Sequence, residues 1–273
     1  MTFYKNNNSA IFYSSVNEIT QEVWTELQCS ASVYFHPDYL ISLEKNNPQI
    51  TFSYLVLFNK ENHAIAFASI QIILFPLEQI ESSLNKNFHR LKCFGRQLGL
   101  FPKLKPIKLL VCGNVFVSGE HGIFIKENQN KQEVIKNLIK AVSSQPPAKD
   151  ISIYLIKDFI KDSLVVSNEL HDLKYYSFNV EPNMALYLDT NWKSLSDYLG
   201  AMKTKFRVKA NRALKLSTPL VVKESTVENI QKMLPEIAQL YKTVSDKAEF
   251  NLGKFNVETY LSLKRNLGDN CVL

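Results

Sequence analysis

The stretch Phe52-Ser-Tyr-Leu-Val-Leu-Phe58, Asn59-Lys-Glu-Asn62, Ala64-Ile-Ala-Phe-Ala-Ser-Ile-Gln-Ile-Ile-Leu-Phe75 holds two apolar runs of strand length around a polar turn. That pattern predicts an antiparallel hairpin. The second run is almost continuously apolar, so it is expected at the centre of a sheet with both faces covered. Upstream, Ala10 to Ser15 reads as a first strand. Asn17 or Thr20 can cap a short helix through Trp24 and Leu27. A second helix starts at His36-Pro37, with proline in its first turn.

Downstream, residues 76–108 are irregular and basic and carry Pro76, Pro102 and Pro106. A connection of that length implies a functional excursion. Ile107 to Val117 is the next strand, and Gly113 inside it signals a bulge or a close backbone approach. The turn Ser118-Gly-Glu-His-Gly122 leads to Ile123-Phe-Ile. Val134, Ile135, Leu138, Ile139 and Val142 recur at helical spacing over 131–144, and Gln145-Pro-Pro-Ala stops that helix. Ile151 to Ile156 reads as a strand and Ser163 to Leu170 as a short helix or turn. Tyr175 to Val180 and Met184 to Leu188 read as further strands. The order predicts a mixed α+β fold around one curved sheet flanked by helices. No strand passes through a glycine-rich turn into a helix, so a dinucleotide-binding fold lacks its fingerprint.

A new pattern begins at Asp189. Leu195, Leu199, Met202, Phe206, Ala210 and Ala213 form the seam of one amphipathic helix or two broken ones, with Asp189, Thr190 or Asn191 as its cap. Pro219 to Lys223 reads as a strand, Val227 to Lys247 as a helix with Pro235 inside, and Val257 to Asn266 as another helix. The last residues, to Leu273, read as a strand just begun.

Composition narrows the classes. The 273 residues are 45% hydrophobic and 21% charged, which suits a globular chain and excludes a rod or a disordered tail. Only 8 glycines argue against glycine-rich nucleotide loops. No apolar run approaches the roughly 18 residues of a membrane span. The first residues lack an apolar signal core, so the expected compartment is the cytoplasm. Cys29, Cys93, Cys112 and Cys271 make no CxxC pair and read as reduced, mostly buried thiols. The five histidines make no metal-ligand pair, and no metal is expected.

The net charge of +6 is concentrated. Residues 84–108 hold seven bases and no acid, and residues 201–223 hold another seven and no acid. Two such segments on a mildly acidic body imply an anionic partner. Arg96-Gln-Leu-Gly99-Leu-Phe101 has part of a pyrophosphate-loop pattern but ends on Phe. Cys112-Gly-Asn-Val-Phe-Val-Ser-Gly-Glu-His-Gly122 offers more: Gly113 and Asn114 at a close backbone approach, Glu120 as a base or amine ligand, and His121 as a proton relay. An ordinary hairpin turn is the plainer reading of that stretch. On the helix after Tyr198, Lys205, Lys209 and Arg212 share one flank while Lys203 and Arg207 form a second row, a face able to clamp phosphates or simply to face solvent.

The pairing of Phe35-His-Pro-Asp-Tyr-Leu-Ile-Ser-Leu-Glu44 with Leu195-Ser-Asp-Tyr-Leu-Gly-Ala-Met-Lys-Thr-Lys-Phe-Arg-Val-Lys-Ala-Asn-Arg-Ala-Leu-Lys215 resembles the tandem GNAT-type N-acyltransferases of the Fem-like, peptidoglycan cross-bridge branch. The resemblance implies a GNAT-like domain over 1–186 and the N-terminal part of a second, truncated one over 187–273. It also implies direct acyl transfer from acyl-CoA or aminoacyl-tRNA to an amine in cell-envelope metabolism. The basic segments would then hold phosphates of an anionic or nucleotide-linked substrate. An RNA- or tRNA-binding module, with Phe88, Phe94 and Phe101 stacking bases, and a catalytically inactive scaffold are the competing readings. A peripheral membrane contact is a further partner compatible with the charge.

Overall fold

The computed structural model of the protein describes residues 2–5, 8–77, 105–144, 149–160, 163–179, 184, 186–248 and 251–273. They form two compact units, Met1–Tyr176 with Thr226–Leu273, and Ser177–Ser225.

The first unit is built on β3 (Thr51–Phe58) and β4 (Ala64–Phe75), the hairpin expected from the sequence. Along β4, Phe67, Ile73 and Phe75 join one apolar cluster, whereas Ala66, Ala68, Ile70 and Ile72 join another. Both faces of the strand are therefore covered, as the unbroken apolar run requires. The ladder slips between Leu57 and Phe58, so Phe58 pairs with Ala64. Ile65 and Ala66 consequently fall in the same cluster.

On one side β3 pairs with β2 (Asn8–Tyr13), which pairs with β1 (Thr2–Lys5), all antiparallel. On its other edge β4 is shared. Ile70–Phe75 pairs with β5 (Ile107–Cys112), and Ala66–Ala68 pairs with β6 (Ile123–Ile125). Beyond β5 lies β7 (Ile153–Ile156), and this pairing is parallel. Parallel neighbours need a crossover; α3 (Lys131–Ser144) lies between them in the chain. It buries Val134, Ile135, Leu138, Ile139 and Val142, the residues its spacing singles out, against the Leu55, Ile70 and Leu110 face. The opposite face is covered by α1 (Gln21–Leu27) and α2 (Pro37–Asn46), through Trp24, Leu27, Leu40 and Leu43. Burying one such side chain stabilises the fold by about 1.5–3 kcal/mol. The class is mixed α+β: an open, mixed sheet between helices.

Two helices from the end of the chain complete this unit. In α7 (Val227–Ser245), Pro235 is carried inside a continuous helix. Against α2 packs α8 (Glu258–Leu267), through a polar seam. Asn47 is fully buried and donates to Leu43 O and Thr259 Oγ1 at 2.8 and 3.1 Å, and it accepts from Asn256 N at 2.9 Å. Asn46 donates to Ser262 Oγ at 2.8 Å, and Asn266 donates to Ser42 Oγ at 2.9 Å.

Several expected strands are absent among the described residues. The strand expected over 107–117 ends at Cys112, where Gly113 takes φ +151°. Tyr175 pairs with no strand. Its N–H closes the turn after α4 (Ser163–Ser167) by donating to Leu170 O, and its hydroxyl meets Ser143 on α3 at 2.8 Å. Residues 176–179 and 186–188 likewise join no ladder, with 180–183 and 185 outside the described residues. Residues 219–223 and 271–273 form no ladder either. In each case β-prone composition alone does not make a strand.

The second unit contains α5 (Leu195–Ala201) and α6 (Thr204–Ser217), so the broken form of the seam is the one adopted. The cap of α5 is Ser194, in place of the expected residues 189–191. Ser194 and Asp197 satisfy each other's backbone N–H groups in a capping box.

Cys29 and Cys112 are buried and free, and burial pushes both thiols up to about 12. Cys271 is half-buried and free, and Cys93 lies outside the described residues. Among the described residues no helix is long and apolar enough to cross a membrane.

Candidate functional site

The shared edge of β4 creates the site. Ser69 stands where β5 has ended and β6 has not begun. Its carbonyl accepts from Gly113 N at 3.0 Å and its N–H donates to Gly122 O at 2.8 Å. The chain between those glycines, residues 114–121, is thereby pushed out of the sheet. A Cβ on Gly122 would stand 2.7 Å from Gly113 N, so the two glycines permit this close approach of backbone. The loop leaves from the C-terminal end of β5, beside the C-terminal end of β7, and ligands in sheets with parallel strands gather at such ends.

Lys157 and Asp158, just after β7, hold the loop. Lys157 is largely buried; its ammonium donates to Asn114 O at 3.0 Å and Val117 O at 2.9 Å and pairs with Asp158. Asp158 accepts from Gly119 N at 3.0 Å. Glu120 accepts from Ser163 Oγ and, at 3.1 Å, from Ile160 N, which ties the tip of the loop to the start of α4.

Inside the loop, Asn114 is buried and donates to Tyr39 Oη at 3.0 Å. Burial pushes the Tyr39 phenol up to about 12, so it stays protonated at neutral pH. Val115 N donates to Gln71 Oε1 at 2.8 Å. His121 lies flat on Tyr34, with ring centroids 3.6 Å apart and planes 20° apart. Desolvation holds its imidazole below the ordinary 6.5, opposed by the Asp158 charge. A Cβ on Gly119 would stand 2.6 Å from His121 Nε2, so this ring position depends on that glycine.

Tyr34, Tyr39 and Val115 all line a cleft of about 480 Å³, within the range of small-molecule sites. Its far wall comes from α7, α8 and their connection, through Tyr241, Leu252, Phe255 and Tyr260. No formally charged side chain among the described residues lines it. Ser69 Oγ and Gln71 Nε2 are buried without a hydrogen-bond partner among the described residues. Among the described residues no cluster of three or more His, Cys, Asp and Glu side chains forms a metal cage.

Gly113, Asn114, Glu120 and His121, singled out in the sequence, are thus gathered in one loop. Glu120 is engaged with Ser163 and Ile160 rather than lining the cleft. Lys203, Lys205, Arg207, Lys209 and Arg212 belong to the second unit. Four of them are exposed, and Arg207 closes the α5–α6 junction by donating to Gly200 O at 3.1 Å. The first basic segment, apart from Lys105 and Lys108, lies outside the described residues, as do Arg96 to Phe101, Phe88 and Phe94. Sequence reasoning missed Gln71, Tyr39, Lys157 and the aromatic wall. Gln71 did carry a signal, an amide in an otherwise apolar central strand.

No family model matches the sequence, and no curated protein matches it. Among solved structures, a variant of the BH1408 protein of Bacillus halodurans is similar with TM-score 0.40 and 11% identity, over 64% of this chain and 99% of that one. An aminoglycoside 6'-N-acetyltransferase of Acinetobacter baumannii is similar with TM-score 0.36 and 14% identity, over 68% of this chain and 99% of that one. Scores of that size do not define a fold, and the architecture rests on the sheet itself.

Proposed function

We propose that the protein is an N-acyltransferase of GNAT-like architecture that moves an acyl group from a thioester to an amine in the cleft. One observation carries this reading: three residues lining the cleft each touch a polar group suited to the reaction. Tyr34 carries His121, Tyr39 carries Asn114, and Val115 carries Gln71. The acyl donor, an acyl-CoA in this reading, fits on a second feature. The amide nitrogen of Gln71 is a buried donor awaiting an acceptor, and a carbonyl oxygen is one.

The amine enters as an ammonium and gives a proton to His121, neutral at pH 7 because its pKa is lowered. The free amine attacks the thioester carbonyl, forming the C–N bond. The oxygen's growing charge calls for a donor, and Gln71 Nε2, on the amide that holds Val115 N, is one without a partner among the described residues. The C–S bond then breaks, and the second amine proton leaves with the thiol. No covalent enzyme intermediate is needed, in keeping with Cys29 and Cys112 held as buried thiols. Asn114 fixes Tyr39, and Glu120 fixes the loop that presents His121. The basic row Lys203, Lys205, Arg207, Lys209 and Arg212 would bind donor or acceptor phosphates, and a second GNAT-like copy from residue 187 onward belongs to the same proposal. The Fem-like, cell-envelope role is the resemblance's contribution and rests on it alone.

Incubating the protein with acyl-CoAs of different chain length and a panel of amines, with product mass spectrometry, tests the reading. An acylated amine formed in step with free thiol is expected. No product from any pair refutes it.

A further inference from the structure

The far end of the cleft is an aromatic cluster. Phe255 is its centre, with Phe116 at 5.1 Å and 82°, Tyr260 at 4.9 Å and 53°, and Tyr241 at 6.3 Å and 54°. All four line the cleft. Rings at these distances pack edge to face or tilted on one another and are held in place, and an aromatic face that borders a cleft attracts an organic cation. The cluster is tied to its own backbone, since Phe255 N donates to Tyr241 Oη at 2.9 Å. A cleft made for a fatty acyl chain needs only aliphatic walls; here aromatic rings dominate one end.

We propose that this aromatic cluster selects the acceptor, and that the acceptor is an organic cation whose ammonium is recognised by ring faces rather than by a carboxylate. This rests on the acyltransferase reading for its role in catalysis, but the binding stands apart from turnover. The absence of a carboxylate among the lining residues has a chemical consequence. An acid beside the ammonium would hold its proton more firmly than ring faces do. The rings hold the cation, and its proton is given up to His121 at the Tyr34 end.

Choline and its neutral carbon isostere 3,3-dimethylbutan-1-ol are the probes, because neither presents an amine that can be acylated. Titration of the protein with each, followed by calorimetry or by NMR, is expected to show choline binding about tenfold or more tightly. Tyr260→Leu is expected to weaken choline about tenfold and leave the alcohol unchanged. Tyr260→Phe, which keeps the ring, is expected to keep choline binding and serves as the folding control. Equal affinity for the two probes would make the cleft a plain apolar site, such as one for an acyl chain, and would overturn the inference. So would no binding of choline. Choline binding without any acyl transfer would refute the acyltransferase reading while leaving the cation site standing; transfer without cation preference would do the reverse.

Discussion

At the residue scale, His121 is the group whose protonation the mechanism uses. Desolvation lowers its pKa below 6.5, so its neutral form persists through pH 7 and the acid limb of kcat/KM falls below 6.5. His121→Gln is expected to lower kcat about 10²-fold or more and to remove that limb; a pH–rate profile checks both. The same shift has a sign for stability. The unfolded imidazole takes its proton at a higher pH than the folded one, so stability is lost as pH falls from 6.5 through the lowered value. Urea melts at pH 5 and pH 8 should show a smaller difference for His121→Gln than for the wild type. Asn47 is a purely structural counterpart. Asn47→Ala strands Thr259 Oγ1 and Asn256 N and is expected to cost about 2–3 kcal/mol in urea unfolding, with kcat falling only as the α8 wall loosens.

At the element scale, the loop 113–122 is a bulge fastened at both ends and at its tip. Gly119→Ala combines a φ of +117° with a clash against His121 Nε2, so it is expected to cut kcat at least tenfold and to lower the thermal midpoint. Lys157→Met removes the ammonium under Asn114 and Val117 and should raise hydrogen exchange across residues 113–119. Much of this level was legible beforehand. The hairpin and α3 declare themselves because burial on two faces or one stripe writes its period into local sequence, and Gly113 flags the bulge. What was not legible depends on neighbours far along the chain. Residues 175–179, 186–188 and 219–223 have strand composition but join no ladder, and composition does not encode pairing partners. Tyr39 and Gln71 become site residues only once the 113–117 backbone folds over them, and the aromatic wall exists only because Asn46 and Asn47 receive α8 from more than 200 residues away.

At the scale of the whole molecule, the C-terminal helices belong with the N-terminal sheet while Ser177–Ser225 forms its own unit. Cleavage within 177–225 should leave two fragments that stay together on size exclusion, because α8 packs on α2 through buried hydrogen bonds. Separation of the fragments would contradict that packing. The central claim is that the cleft beside the 113–122 loop receives the acyl donor. Backbone amide NMR on addition of an acyl-CoA tests it most directly. The account predicts shifts concentrated at Tyr34, Tyr39, Gln71 and residues 113–122; shifts confined to the basic helix 204–217, or none at all, would contradict it.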